Sequence, residues 1–581
     1  MAEGTQREMS EDETIGFSAA ENIAGTEPAG VPSVTSLARS ALGLLGQGAA
    51  LKESAVRFGA ETVRVVRGDS GLELSRDSRF KDPAWKSHPV LRRLGQEYLA
   101  MTREIDALVE HRERDGQPAE QTRFVANIVT SALSPTNFLA TNPAALKQAF
   151  DTAGLSLVRG GRNFVRDLRT NGGMPSMAKP GALQVGVDMA LTPGAVIERD
   201  EVAELLEFHP TTDTVRELPL LIVPPPIGRY YFLDLAPGRS FVEYAVSRGL
   251  RTHLLSWRNP TSEQRNWDVD TYAQRILQAV DTILATTGAP AVNIVGFCAG
   301  GLLTTAVLNH LAKHGHEDKI RSMTFAVTLL DFGLPAPIGA FSAPKLLALA
   351  RRNSRRGGVI RARSMGSVFA WMRPNDLVWN YWVNNYLLGQ DPPVFDILSW
   401  NADGTNLPAT LHLQFLDCYQ NNVLANGDLF ALGDTVELST IKVPTFVTGA
   451  INDHLTPWRG TYRTTQLLSG PSTFVLSHAG HIQSLVNPPG NPKSSFYTGD
   501  DPGPDPDQWL ASATQQPGTW WTVWADWEIE QSGPQIPAPS RPGNRKYRPL
   551  TPAPGLYVRN LTSTDEAPSS APAGGRTNRK K

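Results

Sequence analysis

The chain has 581 residues, 41% of them hydrophobic, long enough for a large buried core and more than one domain. Its 55 Lys and Arg against 57 Asp and Glu leave a formal net charge of -2, which excludes a nucleic-acid partner held by a bulk basic field. Two cysteines, Cys298 and Cys418, cannot build a disulfide framework or a cysteine zinc cluster, and no run of about twenty apolar residues is present to span a membrane.

Residues 1–32 open MAEGTQREMSEDETIG and are rich in Glu, Gly, Ser and Pro, so they are read as a flexible tail. They lack the basic start and apolar stretch of a secretory signal, and export is not expected. From 36 to 66 apolar residues recur at helical spacing between glycines, which predicts a packing helix, with a surface-lying amphipathic segment as the alternative. Residues 80–200 hold long helical periodicities such as HPVLRRLGQEYLAMTREIDALVEH and almost no strand-like runs, so 33–204 is expected to be a helical domain. After about residue 205, short apolar runs alternate with helices, the pattern of a doubly wound parallel sheet and hence of the α/β class. The strands read are 218–225, 251–257, 291–296, 323–331, 443–450 and 472–478, apolar enough to be buried on both faces. Between the fourth and fifth, at about 332–440, lies an insertion dense in aromatics and Asn, expected to cap the site of a catalytic domain over 205–531. The Pro-rich chain over 532–581 reads as a flexible, extended tail with no catalytic role.

Chemistry gathers where AVNIVGFCAGGLLTTAVLNHLAKHG runs strand, sharp turn, helix, with Cys298 inside Gly296-Phe297-Cys298-Ala299-Gly300. That is a nucleophile elbow with Cys in place of Ser, which holds the thiol at the top of the sheet and at a helix N-terminus. Gly296 and Gly300 let neighbouring backbone pass where a Cβ would clash. Asp453, in GAINDHLTPW, follows the fifth strand, where a carboxylate can orient an imidazole. Three histidines compete for the base: His454, His478 and His481. His481 is favoured because it stands on the loop after Gly480, and His454 is expected to support it as a hydrogen-bonding neighbour. The Ala299 N–H is one expected oxyanion donor, and Ile227, the first residue after Pro224, Pro225 and Pro226 with an N–H, is the other. Cys418 has no elbow and reads as a packed small hydrophobe. The cluster PGTWWTVWADW, 517–527, reads as core or domain-contact packing. With no Gly-rich phosphate loop and no metal-ligand spacing, neither cofactor nor metal is expected.

On these residues the chain resembles the bacterial polyhydroxyalkanoate synthases over roughly residues 78–530. RFKDPAWKSHPVLRRLGQEYLA and SPTNFLATNPAALKQAF carry the resemblance early in the chain, and GFCAGG carries it at the elbow. WMRPNDLVWNYWVNNYLLG and FDILSWNADGTNLP carry it in the expected cap, and NDHLTPW and GHIQSLVNPPGNPK around the acid and histidine. The resemblance implies an α/β-hydrolase-type catalytic domain with a cap and the triad Cys298, Asp453 and His481. It implies an acyltransferase that polymerises (R)-3-hydroxyacyl-CoA through a covalent thioester and releases CoA, with His481 or Asp453 as base for the attacking 3-hydroxyl. It further implies homodimers that meet through their caps, and a cytoplasmic place at the surface of polymer granules beside granule-associated proteins. One departure is Gly228-Arg229, where the family usually has Asn-Lys. The size suits either single-subunit class, short-chain or medium-chain, and no chain length is chosen. The rival readings are a Cys-dependent thioesterase or polyester depolymerase and a noncatalytic granule-surface protein.

Overall fold

The computed structural model describes residues 48–114, 120–334 and 344–560; the tail expected over 1–32 lies outside the described residues. The longer helices before the first strand are, among the described residues, α1 (Gly48–Arg67), α2 (Pro89–Arg114), α3 (Glu120–Ala132), α4 (Pro143–Asp151) and α5 (Leu155–Thr170). α4 starts on local chemistry, with Pro143 in its first turn and an Asn142 side chain that accepts from the Ala145 N–H. α1 packs along α2, where Ser54 donates to Glu104 at 3.0 Å and Thr62 to Glu97 at 2.7 Å. α5 is turned the other way from an ordinary amphipathic helix. It buries Ser156, Gly160, Asn163 and Asp167 and leaves Leu155, Val158, Val165 and Leu168 exposed. The buried polar face docks onto the motif NYWVNNYLLG: Asn163 donates to the carbonyls of Asn385 and Gln390, and the Tyr386 hydroxyl donates to Asp167 at 2.9 Å. A Cβ at Gly160 would stand 1.9 Å from the Tyr386 carbonyl oxygen, so only glycine permits this approach.

The sheet has eleven strands among the described residues. In chain order they are β1 (Gly194–Arg199), β2 (Ala203–Phe208), β3 (Leu220–Val223), β4 (Thr252–Trp257), β5 (Val292–Phe297), β6 (Ile320–Ala326), β7 (Thr445–Ala450), β8 (Ser472–Ser477), β9 (Ser495–Thr498), β10 (Thr514–Pro517) and β11 (Thr551–Pro552). They lie side by side as β10-β9-β8-β7-β6-β5-β3-β4-β2-β1-β11. The six runs read as strands from their apolar character are β3 to β8, and they pair in parallel at the centre. Alternate side chains feed two layers. Leu221, Val223, Val292 and Ile294 join α6 (Val269–Thr287) and α7 (Ala299–Lys313), while Leu220, Ile222, Val295 and Phe297 join Phe241 and the tryptophans at 520, 521 and 524. The chain leaves β3 for β4 on one side and places β5 on the other, so a crevice opens at the carboxyl ends of β3 and β5.

Two expectations are corrected at the edge of this sheet. β1 lies inside the stretch read as helical and β2 crosses its boundary, and both add antiparallel strands. The stretch after 531, expected as a flexible tail, is packed through residue 560: β11 pairs with β1, and Leu556, Tyr557 and Val558 are buried. The cause of both is a pair of carboxylates on β2. Glu204, wholly buried, accepts from the backbone N–H groups of Leu556 and Tyr557 and from Arg199; Glu207 accepts from Arg251 and the Gly543 N–H. The buried charges of β2 interrupt its apolar run and are satisfied by chain as far as 352 residues away, so the strand lacks the continuous apolar character of the central ones.

Candidate active site

Cys298 stands between the end of β5 and the first residue of α7 with φ 49° and ψ -122°, a conformation that costs an L-residue energy and persists only under constraint. The constraint is visible. Its N–H donates to the Ala326 carbonyl at 2.9 Å, and its carbonyl accepts from the Gly301 N–H at 3.0 Å and the Thr328 hydroxyl at 3.1 Å. A Cβ at Gly296 would lie 2.5 Å from Gly301, and one at Gly300 2.2 Å from the Val223 carbonyl oxygen. Gly301 is equally required, since a Cβ there would meet Thr328 at 2.3 Å, a need that the Gly-Gly pair in the sequence already hinted at.

Asp453 follows β7, and His481 opens α8 (His481–Leu485) just after β8, so two parallel neighbours deliver acid and histidine side by side. His481 Nδ1 lies 2.6 Å from Asp453 Oδ2. The other carboxylate oxygen accepts from the N–H groups of Leu455 and Thr456, each at 2.9 Å. The Thr456 hydroxyl donates to Oδ2 at 2.6 Å and stands 3.1 Å from His481 Nδ1. Sequence reasoning missed Thr456; the signal available was that a loop Asp commonly turns the chain by accepting from backbone N–H groups just after it, which brings the residues that follow back to its carboxylate. Trp520 donates to the Ser484 carbonyl of α8 at 2.8 Å, and Trp520, Trp521 and Trp524 pack in the core on that side of the sheet, in line with the packing role read for 517–527.

Burial governs the electrostatics. It pushes the Cys298 thiol up to about 12, against a hydrogen bond from the Ala299 N–H, and pushes His481 down to about 3. It raises Asp453 to about 7, opposed by the hydrogen bonds from Thr456 and Leu455. At neutral pH the pair is therefore a neutral thiol beside a neutral imidazole. Nucleophilic attack by the sulfur then requires the proton to move at the moment of reaction.

Cys298, Ala299, Ile227 and His481 line one apolar cavity of about 80 Å3, walled by Phe332, Trp400 and Phe415. Cys418 is packed in the wall as a buried hydrophobe, its thiol pushed up to about 12 by burial, but it also faces this cavity, which its sequence context did not indicate. His454 faces a neighbouring cavity beside Arg373, and burial and that guanidinium push it down to about 4. His478 is exposed and meets Ser495 at 3.3 Å. Of the three competing histidines, His481 is the one brought to Asp453. The Gly228-Arg229 departure also has a local reason. A Cβ at Gly228 would touch the Trp400 ring at 3.0 Å, and buried Arg229 pairs with Asp403 at 2.8 Å and donates to the carbonyls of Tyr557 and Val558.

Two family models match the chain, the N-terminus of poly-beta-hydroxybutyrate polymerase (PhaC) over residues 76–245 and the alpha/beta hydrolase fold over residues 234–488. Poly(3-hydroxyalkanoate) polymerase 1 of Ectopseudomonas oleovorans is 43% identical over 503 residues, 86% of this chain and 90% of its own length. The poly(3-hydroxyalkanoate) polymerase subunit PhaC of Cupriavidus necator is 38% identical over 493 residues, 83% of each chain. The poly(3-hydroxyalkanoate) polymerase of Methylorubrum extorquens is 36% identical over 489 residues, 83% of this chain and 80% of its own. With a cysteine elbow, a histidine–aspartate pair and this similarity along most of its length, the chain belongs to the poly(3-hydroxyalkanoate) polymerase family.

Proposed function

We propose that this chain polymerises (R)-3-hydroxyacyl-CoA into polyester through a thioester on Cys298. The observation that carries the reading is the apolar cavity that Cys298 and His481 both line, because an acyl-enzyme must be kept from water if an alcohol is to take the acyl group. The Cys298 proton passes to His481 as the sulfur attacks the acyl carbonyl, and the Asp453 carboxylate steadies the imidazolium through Nδ1. The N–H groups of Ala299 and Ile227 hold the oxyanion. The CoA thiolate leaves with the proton, and the 3-hydroxyl of another acyl unit then attacks the thioester, assisted by His481 or Asp453, to form the ester. On this reading a helical N-terminal domain precedes the hydrolase-type domain, and residues 332–440 act as its cap; Trp400, Phe415 and Cys418 of that stretch line the cavity.

The same reading puts the enzyme at the surface of polymer granules in the cytoplasm. Among the described residues no helix is long and apolar enough to cross a membrane. The outward face of α5 combines exposed Leu155, Val158, Val165 and Leu168 with exposed Arg159, Arg162 and Arg169, and Phe150 beside it is 87% exposed. An apolar stripe flanked by arginines is the composition of a helix that lies in an interface. Homodimers belong to the same reading, and sedimentation of the purified protein tests them.

The decisive measurement is CoA release from (R)-3-hydroxybutyryl-CoA and longer homologues, with insoluble polyester assayed in parallel, for wild type and Cys298→Ala. Polymer that grows with CoA release, both lost in the variant, is the expected result. Soluble hydroxy acid as the sole product would make the enzyme a hydrolase, and no release at any length would point to a noncatalytic granule protein.

A further inference from the structure

His310 in the last turn of α7 and His314, the residue that caps its C-terminus, are four residues apart and lie on one face. Their ring centroids are 4.4 Å apart. A short hairpin of Phe430–Ala431 and Asp434–Thr435 brings Asp434 against them, with Oδ2 at 2.9 Å from His310 Nδ1 and 3.1 Å from His314 Nε2. The three ligand atoms all lie within 4.8 Å of one another. Ligand atoms bound at zinc distances around one tetrahedral ion stand about 3.3 Å apart, so the two carboxylate–imidazole distances have to open by only a few tenths of an ångström, and the two imidazole nitrogens already lie within 4.8 Å of each other.

Several features point to a cation. The site lies at the C-terminal end of a fifteen-residue helix, where unpaired carbonyls leave a partial negative charge. Lys313, the cation on the same turn, is committed to the Thr435 carbonyl at 2.8 Å and to Glu437 at 2.6 Å. The His314 side chain is 52% exposed, which leaves the outer coordination position open to water. Two imidazoles and one carboxylate are a borderline donor set that suits Zn2+ and its first-row neighbours over Mg2+ or Ca2+.

We infer that His310, His314 and Asp434 form a divalent transition-metal site that pins the 430–435 hairpin to α7. The helix starts at the nucleophile, so its twelve-residue reach puts the ion about 18 Å along the axis from Cys298, too far to share in the chemistry. Its effect is on stability. This revises the expectation of no metal: the spacing His-x-x-x-His supplies two ligands, and the third comes from a part of the chain that the sequence does not place nearby.

The test uses full-length, tag-free, chelator-treated protein carrying Cys298→Ser, which removes the reactive thiol as a competing ligand. Zn2+ is titrated by calorimetry and thermal unfolding, and Co2+ by visible absorption. One equivalent that raises Tm, with the d–d bands of a low-coordinate cobalt site, is expected. His310→Ala with His314→Ala, or Asp434→Asn, should weaken binding by at least the roughly ten- to hundredfold that loss of even a supporting partner costs. Asp434→Asn keeps a hydrogen-bonding side chain there, so the hairpin stays folded, and exposed His316→Ala should leave binding unchanged. No saturable binding by the parent, or binding that survives loss of the two histidines, would overturn the site.

Discussion

Burial keeps Cys298 a thiol and His481 a neutral imidazole, which sets how the free enzyme meets an alkylating agent. A thiol whose pKa is raised is ionised less at any given pH, and below that pKa its thiolate fraction grows tenfold per unit. Alkylation of Cys298 by iodoacetamide is therefore expected to accelerate about tenfold per pH unit from about pH 6 to 9 without a plateau. A preformed thiolate–imidazolium pair would instead give a rate that is flat across that range. Thr456 offers a second test, because its hydroxyl touches both Asp453 and His481. Losing a hydrogen bond to a charged group is worth about 1.5–3 kcal/mol, so Thr456→Val should slow CoA release roughly ten- to hundredfold, with Thr456→Ser restoring most of it. A rate unchanged in the valine variant would remove Thr456 from the positioning of the pair.

At the scale of elements, α5 does two jobs with two faces. Its buried polar side holds the motif at 382–390, and its apolar side stays exposed. Substitution of Leu155, Val158 and Leu168 by Ser leaves the docked face intact. The variant should release CoA from soluble substrate at the wild-type rate yet partition away from isolated granules in a sedimentation assay. Equal partitioning of both proteins would place granule contact elsewhere. β2 presents the converse case, a strand whose charged residues face inward. Glu204→Ala leaves the buried N–H groups of Leu556 and Tyr557 without their acceptor, an expected loss of about 1–3 kcal/mol read as a lower Tm.

For the whole molecule, the first and last parts of the chain both brace the parts that carry the chemistry. Arg229, on the loop that also offers Ile227, donates to carbonyls at 557 and 558, so the chain beyond 531 fixes one rim of the cavity. Truncation after Gln531 removes β11, uncovers β1 and breaks these bonds. The truncated protein is expected to be poorly soluble, with CoA release lost beyond what its remaining folded fraction explains. Retention of full activity and Tm would show that the segment only rests on the surface.

The parallel centre of the sheet and the elbow were legible because each is written in contiguous residues. Strands buried on both faces must be continuously apolar, and a nucleophile on a strained turn must have glycines around it. Asp453 and His481 could be named for a similar reason, since each directly follows a recognisable strand. Only the tertiary structure showed that His454 lines a neighbouring cavity, turned α5 outward, and put Cys418 on the cavity wall. It alone showed β1, β2 and the packed chain through 560, because Glu204 and Glu207 can be buried only with partners that the local sequence does not contain. It likewise gathered His310, His314 and Asp434, whose chemistry exists only once a helix and a hairpin far along the chain are brought together.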